Sequence, residues 1–238
     1  MRRHIAALAL CLALSAHAAE TADPVAEAIK SADSHGARND FGKAVGVLAP
    51  FESLERADVD YALAYALYSE ALNGIAVADA ATVDISRALA LAERSAAKGN
   101  GYALNLLFMM YDTGLGLPVD EAKALDYLQR AVAAGDVGAK INYAVRLYRG
   151  IAPITRDRDQ ACALFTQLQA LPDPDPISGY YLGLANFKGE CGFPEDTSKG
   201  MALIESAARR DVRDAQADMG KSLEFGWVGE KDIRQALA

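Results

Sequence analysis

Four times along this chain a glycine is followed six or seven residues later by an aspartate: Gly114 and Asp120, Gly150 and Asp157, Gly189 and Asp196, Gly226 and Asp232. The glycines recur at intervals of 36, 39 and 37 residues. Glycine enters the left-handed conformation that ends a helix without steric cost. An aspartate at a helix N-terminus accepts hydrogen bonds from amides that the helix itself leaves unpaired. Each pair therefore marks a turn between two helices. Repetition at this period predicts a stack of helix hairpins, each burying its apolar face against its neighbours, and an all-α fold.

The unit between Gly101 and Gly135 shows the pattern most fully. Ala103, Leu107, Phe108 and Tyr111 share one face of a first helix and Gly114 closes it. Leu115 to Val119 form the turn, and Asp120 opens a second helix through Lys123-Ala124, Tyr127-Leu128 and Ala131. A third unit carries Ala139, Tyr143, Ala144 and Leu147, then Gly150, Asp157 and Gln160-Ala161. The fourth has Leu182-Gly183, Gly189, Asp196, Lys199 and the small pair Ala207-Ala208, and a fifth begins with Ala215-Gln216 and Met219-Gly220. Upstream, Tyr61 to Asn73 and a segment with Asp84, Arg87-Ala88, Ala96 and Gly99 make a first unit with a longer turn.

The order Leu107…Tyr111…Gly114-Leu115-Gly116…Asp120…Lys123-Ala124…Gly135, repeated as Leu182-Gly183…Gly189…Asp196…Lys199, resembles the Sel-one-like repeat family, relatives of the tetratricopeptide repeats. Phe108 stands where the family has a helix glycine, and Leu147 where it has a tyrosine. The resemblance implies a right-handed superhelical α-solenoid of antiparallel helix pairs over residues 61–238. Its units are 61–100, 101–136, 137–175, 176–214 and an incomplete 215–238. It also implies a module that holds a protein or peptide in its concave face.

Residues 1–19 read as a cleaved secretory signal, with Arg2 and Arg3 ahead of the apolar run Ile5 to Leu14 and the small-x-small site Ala16-His17-Ala18. A lipoprotein reading through Cys11 is disfavoured by the bulky Leu10 before it. No later stretch is long and apolar enough to span a bilayer, so a periplasmic or secreted location is expected. Residues 20–60 read as an N-terminal helical cap, with short helices at Val25–Ile29 and Gly42–Leu48, a cap at Asn39-Asp40, and a break from Pro50 through the acidic stretch Glu52 to Asp60. Three prolines between Leu171 and Pro176 predict a stiff extended connector.

Without Arg2 and Arg3 the chain has 22 basic and 32 acidic side chains, a formal charge of −10, which repels phosphate backbones and argues against nucleic acid as a partner. Cys162 falls early in the second helix of unit three and Cys191 in the turn of unit four, places that neighbour each other when units stack. An oxidising compartment favours a disulfide between them. The alternative is a buried thiol, because Cys162 aligns with the core positions Leu125 and Met201.

Beyond the signal His35 is the only histidine, so a histidine-based catalytic triad or histidine-rich metal site is not expected, nor is a cofactor. Gly114-Leu115-Gly116 begins like a dinucleotide fingerprint, but Val119 occupies the third glycine position and no strand precedes it. Ser95-Ala-Ala-Lys98 matches the Ser-x-x-Lys of penicillin-interacting enzymes, and a secreted branch of the resembled family is associated with β-lactams. Neither a Ser-Asp-Asn nor a Lys-Thr-Gly partner motif accompanies it. An envelope enzyme acting on β-lactams or peptidoglycan is therefore the alternative to a non-catalytic exported scaffold with an envelope-assembly or immunity role. The candidate binding residues, just off the packing stripes of the first helices, are Asn142, Arg146, Arg149, Tyr181, Lys188, Asp218 and Ser222. A second candidate contact is the chain's last apolar group, Met219, Leu223, Phe225 and Trp227, through which two copies could associate.

Overall fold

The computed structural model describes residues 23–77 and 85–225, with the side chains of 74–77 and 222–225 outside the description. The pair Gly226 and Asp232, the signal at 1–19 and Trp227 lie outside the described residues. The chain divides into two compact units, the first ending at Lys98 and the second beginning at Gly99.

In the first unit Asp23 accepts the Val25 amide at 3.0 Å and Pro24 opens α1 (Pro24–Gly36), a favoured place for a residue without an amide hydrogen. A second helix, α2 (Phe41–Leu48), passes directly into a 3-10 turn, Ala49–Leu54, that accommodates Pro50. Asp40 sits at the N-cap of α2 but makes no capping bond; it pairs with Lys43 at 2.6 Å instead. The acidic stretch is not a break throughout. Its end enters α3 (Ala57–Val77), where Asp58 and Asp60 lie in the first turn and favour the positive end of the helix dipole. This helix pairs with α4 (Ile85–Ala97), and α1 and α2 pack together and onto α3.

One buried carboxylate organises this unit. Asp60 is fully buried and receives Arg94 Nε at 2.9 Å and Lys98 Nζ at 3.2 Å, both from the end of α4. Between them Ser95 donates to the Ala57 carbonyl at 2.6 Å. The Ser-x-x-Lys pattern is thus a clamp joining the end of α4 to the first turn of α3.

The second unit is a succession of hairpins: α5 (Gly101–Thr113) with α6 (Glu121–Ala133), α7 (Val137–Arg149) with α8 (Arg158–Gln169), and α9 (Pro176–Lys188) with α10 (Thr197–Ala208). The last described helix is α11 (Arg213–Phe225). Each helix packs on the next, and α7 also touches α5 and α9. Gly114, Gly150 and Gly189 end their helices at φ of 68°, 71° and 66°. Asp120, Asp157 and Asp196 cap the following helices, accepting the amides of Lys123, Gln160 and Lys199 at 2.9 to 3.0 Å. The amide of each aspartate also reaches back to the first helix, to the carbonyls of Tyr111, Leu147 and Asn186 at 3.1, 2.9 and 2.8 Å. The turn is therefore a repeated hydrogen-bonded unit.

The proline-rich run departs from the stiff connector expected of it. Pro176 is already the first residue of α9, and Asp175 caps that helix by accepting the Ser178 amide at 2.9 Å. Gln169 at the end of α8 then holds the loop, donating to the Asp175 carbonyl at 2.7 Å. Cys162 and Cys191 are bonded, with Cα atoms 6.2 Å apart, which ties α8 to the turn of the next hairpin.

Hairpins two, three and four differ where their helices cross. The facing positions are Phe108 and Ala124, Ala144 and Ala161, then Gly183 and Gly200, all of them buried. At the last crossing a Cβ on Gly200 would lie 2.7 Å from the Phe187 amide nitrogen and 2.8 Å from the Gly183 carbonyl oxygen. There the two backbones touch.

Candidate functional site

The first helices α7 and α9 lie side by side, and with the start of α11 they border an open groove of about 430 Å³. Its apolar lining is Ile141 and Val145, one helical turn apart on α7, with Ile177, Tyr180 and Tyr181 from α9. Arg210, Asp211, Val212, Arg213 and Asp214 form the far wall. A volume in this range is ordinary for a ligand pocket, roughly 300 to 1,000 Å³.

Charges cross the groove in pairs. Arg149 on α7 pairs with Asp214 on α11, and its guanidinium lies 5.5 Å above the Tyr181 ring. Arg210 donates to the Pro174 carbonyl at 2.7 Å and faces Asp173 at 3.5 Å. Arg213 is exposed and makes no ion pair among the described residues. The Tyr180 hydroxyl donates to Asp218 at 2.9 Å. Burial pushes the Tyr180 hydroxyl well up from its ordinary range and the Asp218 carboxylate adds to the effect, so the phenol stays a donor.

The sequence candidates divide into three groups. Asn142 and Arg149 line the groove, the former donating to Asn105 at 3.1 Å on the preceding first helix. Lys188 is exposed and Asp218 partly so, and both border a separate pocket further along the stack. Arg146 and Tyr181 do not stand free as recognition side chains. The Arg146 side chain is only 12% exposed, paired with Asp112, lying 5.1 Å above the Phe108 ring and donating to the Ala152 carbonyl. Tyr181 is 3% exposed, its ring stacked on Phe165 at 5.0 Å and tilted against Tyr148 at 5.0 Å. Each fills the junction between two successive repeats, and Tyr181 also lines the groove. The side chain of Ser222 lies outside the described residues, as do those of Leu223 and Phe225. Met219 is partly buried against the core of the second unit.

The groove includes residues the sequence reading passed over, notably Ile141, Val145, Ile177, Tyr180 and Arg213. Ile141 with Val145 and Ile177 with Tyr180 and Tyr181 form secondary apolar stripes at helical spacing, a signal present in the chain but overshadowed by the stronger packing stripe.

A chain with this hairpin period and repeated turn matches the sequence profile of the Sel1 repeat, over residues 61–100, 101–136, 138–168, 178–212 and 213–238. The chain belongs to the Sel1 repeat family. Among solved structures it is similar to a Sel1 repeat protein from Oxalobacter formigenes, at 18% identity and a TM-score of 0.62, over 90% of this chain and 84% of that one. It is also similar to a protective antigen of uropathogenic Escherichia coli strains that displays an SLR fold, at 18% identity and a TM-score of 0.43, over 81% of this chain and 54% of that one. No curated protein is detectably similar to it in sequence. The Oxalobacter similarity shows the shared fold: an all-helical Sel1 repeat solenoid of antiparallel helix pairs. Sel1 repeats typically serve as protein-interaction scaffolds. No helix among the described residues of this Sel1 repeat protein is long and apolar enough to cross a membrane.

Proposed function

We propose that this Sel1 repeat protein is an exported, non-catalytic scaffold that binds a protein segment in the groove among α7, α9 and α11, in an envelope-assembly or immunity role. The observation that carries the reading is the groove itself, an apolar floor of Ile141, Val145 and Ile177 beside the exposed Arg213, which makes no ion pair among the described residues. Apolar anchors ringed by polar side chains suit polypeptide recognition. Export is supported by the signal-like residues 1–19 and by the Cys162–Cys191 bond, a linkage that persists in oxidising compartments. The net negative charge of the chain favours protein over nucleic acid as the partner.

The enzymatic alternative would require Ser95 as a nucleophile activated by Lys98. Ser95 is fully buried and donates to the Ala57 carbonyl, while Lys98 pairs with Asp60, and both observations support a structural role. Hydrolysis of a chromogenic β-lactam that disappears in Ser95→Ala, with the fold retained, would reverse this assignment. The binding reading is tested by affinity capture from envelope extract with the native protein and with Ile177→Asp combined with Arg213→Glu. A partner retained by the native protein and lost from the variant supports the groove; capture of the same set by both contradicts it.

A further inference from the structure

Successive repeat junctions correspond residue by residue in sequence, with the turn glycine and capping aspartate of each hairpin as the register. At the junction between repeats three and four, Tyr181 inserts its ring against Tyr148 and Phe165, each 5.0 Å away, with Arg149 5.5 Å above it. One repeat further on, the same register puts Phe187 in place of Tyr148, Ile204 in place of Phe165 and Lys188 in place of Arg149. The residue in register with Tyr181 is Asp218, which is too short to fill the space and turns to accept from Tyr180 at 2.9 Å. The walls of an aromatic slot are thus retained without the ring. They enclose a pocket of about 370 Å³, lined by Leu184, Phe187, Met201 and Ile204 with Lys188, Lys221 and Asp218 at its edge. At the junction between repeats two and three the residue in this register is Asn142, which donates to Asn105 at 3.1 Å.

We infer that this pocket receives an aromatic side chain, tyrosine or phenylalanine, from a partner polypeptide that carries carboxylates next to it. The molecule's own Tyr181 shows what such walls accept. The edge supplies the charge preference: Lys188 is exposed and makes no ion pair among the described residues, and Lys221 is exposed beside Asp218 at 3.5 Å. Apolar burial holds the ring, and the lysines select an acidic neighbour. The inference rests on the reading of this protein as a protein-binding scaffold but concerns a pocket separate from the groove, so the two can fail independently.

The test is a titration followed by methyl NMR of Met201 and Ile204, with 3-(4-hydroxyphenyl)propionate as a tyrosine-like probe bearing a carboxylate and with p-cresol as the uncharged ring. Both probes should give saturable shifts at these methyls, the carboxylate probe at several-fold lower concentration. Lys188→Glu should remove that advantage while leaving p-cresol unaffected. Met201→Trp, which fills the pocket, should abolish the shifts at Ile204 with helicity unchanged. Arg213→Glu in the groove should leave both titrations as they are. Absence of saturable shifts in the native protein would overturn the inference while leaving the groove untouched. If Trp227→Ala were needed before the probes bound, the occupant would be the chain's own terminal segment, and the proposed external ligand would be wrong.

Discussion

The first and fourth hairpins perform the same task by opposite means. The pair α3 and α4 is joined through a buried charge, Asp60, held by Arg94 and Lys98, with Ser95 fixed to the Ala57 carbonyl. The pair α9 and α10 is joined by bringing backbones into close approach at Gly183 and Gly200, neither of which carries a side chain, with Ile204 packed beside Gly183. A helix hairpin in a repeat array is therefore defined by its turn and its periodicity, and the means of closing it is free to change. That freedom lets one junction carry Arg146, another Tyr181, and a third an open pocket. Chemistry varies where the repeat does not specify it.

The sharpest way to break the comparison is to remove both cations around Asp60. Arg94→Met with Lys98→Met leaves a fully buried carboxylate without a partner, and the expected loss is roughly 3 to 5 kcal/mol in a denaturant melt. If the loss is under about 1 kcal/mol, a level ordinary for surface ion pairs, the clamp does not hold the first unit. Gly200→Ala probes the other mechanism. The added methyl meets backbone on two sides, and overpacking of this kind costs about 1 to 3 kcal/mol despite the gain in helix propensity. The equivalent change in the opposite direction, Ala124→Gly, should cost only about 1 kcal/mol, the helix-propensity difference, because Phe108 rather than a glycine occupies the matching position on the first helix there. Equal effects at the two positions would show that the crossings are not different in kind.

The smallest effect is a pH dependence of opposite sign in the two units. Arg56 holds the Asp58 carboxyl below its ordinary value of 3.8 by a side-chain hydrogen bond. Its contribution is present above 3.8 and disappears as the pH falls through the lower folded value. Asp136 is shifted the other way, since burial raises it from 3.8 even though it accepts the Ala139 amide at 2.6 Å. Its stabilising contribution is complete below 3.8 and is lost as the pH rises through the raised value. Asp58→Asn should therefore lower the melting temperature at neutral pH and converge with the native protein in acid. Asp136→Asn, which keeps an acceptor for Ala139, should be neutral or stabilising at pH 7. The reverse ordering would mean that the local surroundings described for these two carboxylates are wrong.

Much of this architecture can be read from the chain because it is local. A glycine at positive φ and an aspartate three residues before the amide it accepts are short-range requirements, and Gly114, Gly150, Gly189 and their aspartates meet them. The same logic, pursued further, would have placed Pro176 inside α9, since Asp175 before it is a capping residue and proline is welcome at a first helical position. It would also have started α3 at Ala57, because acidic residues in a first turn favour a helix. The roles of Arg146 and Tyr181 were less accessible. Both sit beside the packing stripe of their own helix, and what buries them is the neighbouring repeat: Phe108 and Asp112 for one, Tyr148 and Phe165 for the other. These partners lie on other helices, between 16 and 38 residues away, so helical periodicity alone does not distinguish a junction plug from an exposed contact. Cys162 and Cys191 are likewise joined across a junction, and there the expectation of an oxidising compartment, drawn from the signal-like residues 1–19, supplied the clue.

The most direct test of the binding account is site-specific photocrosslinking in cells, with a photoreactive phenylalanine analogue introduced at Ile177 in the groove or at the exposed Gln167 on α8. The account predicts a discrete crosslinked protein from position 177 that is absent from position 167. Identical products from both positions, or a product from position 167 alone, would contradict it.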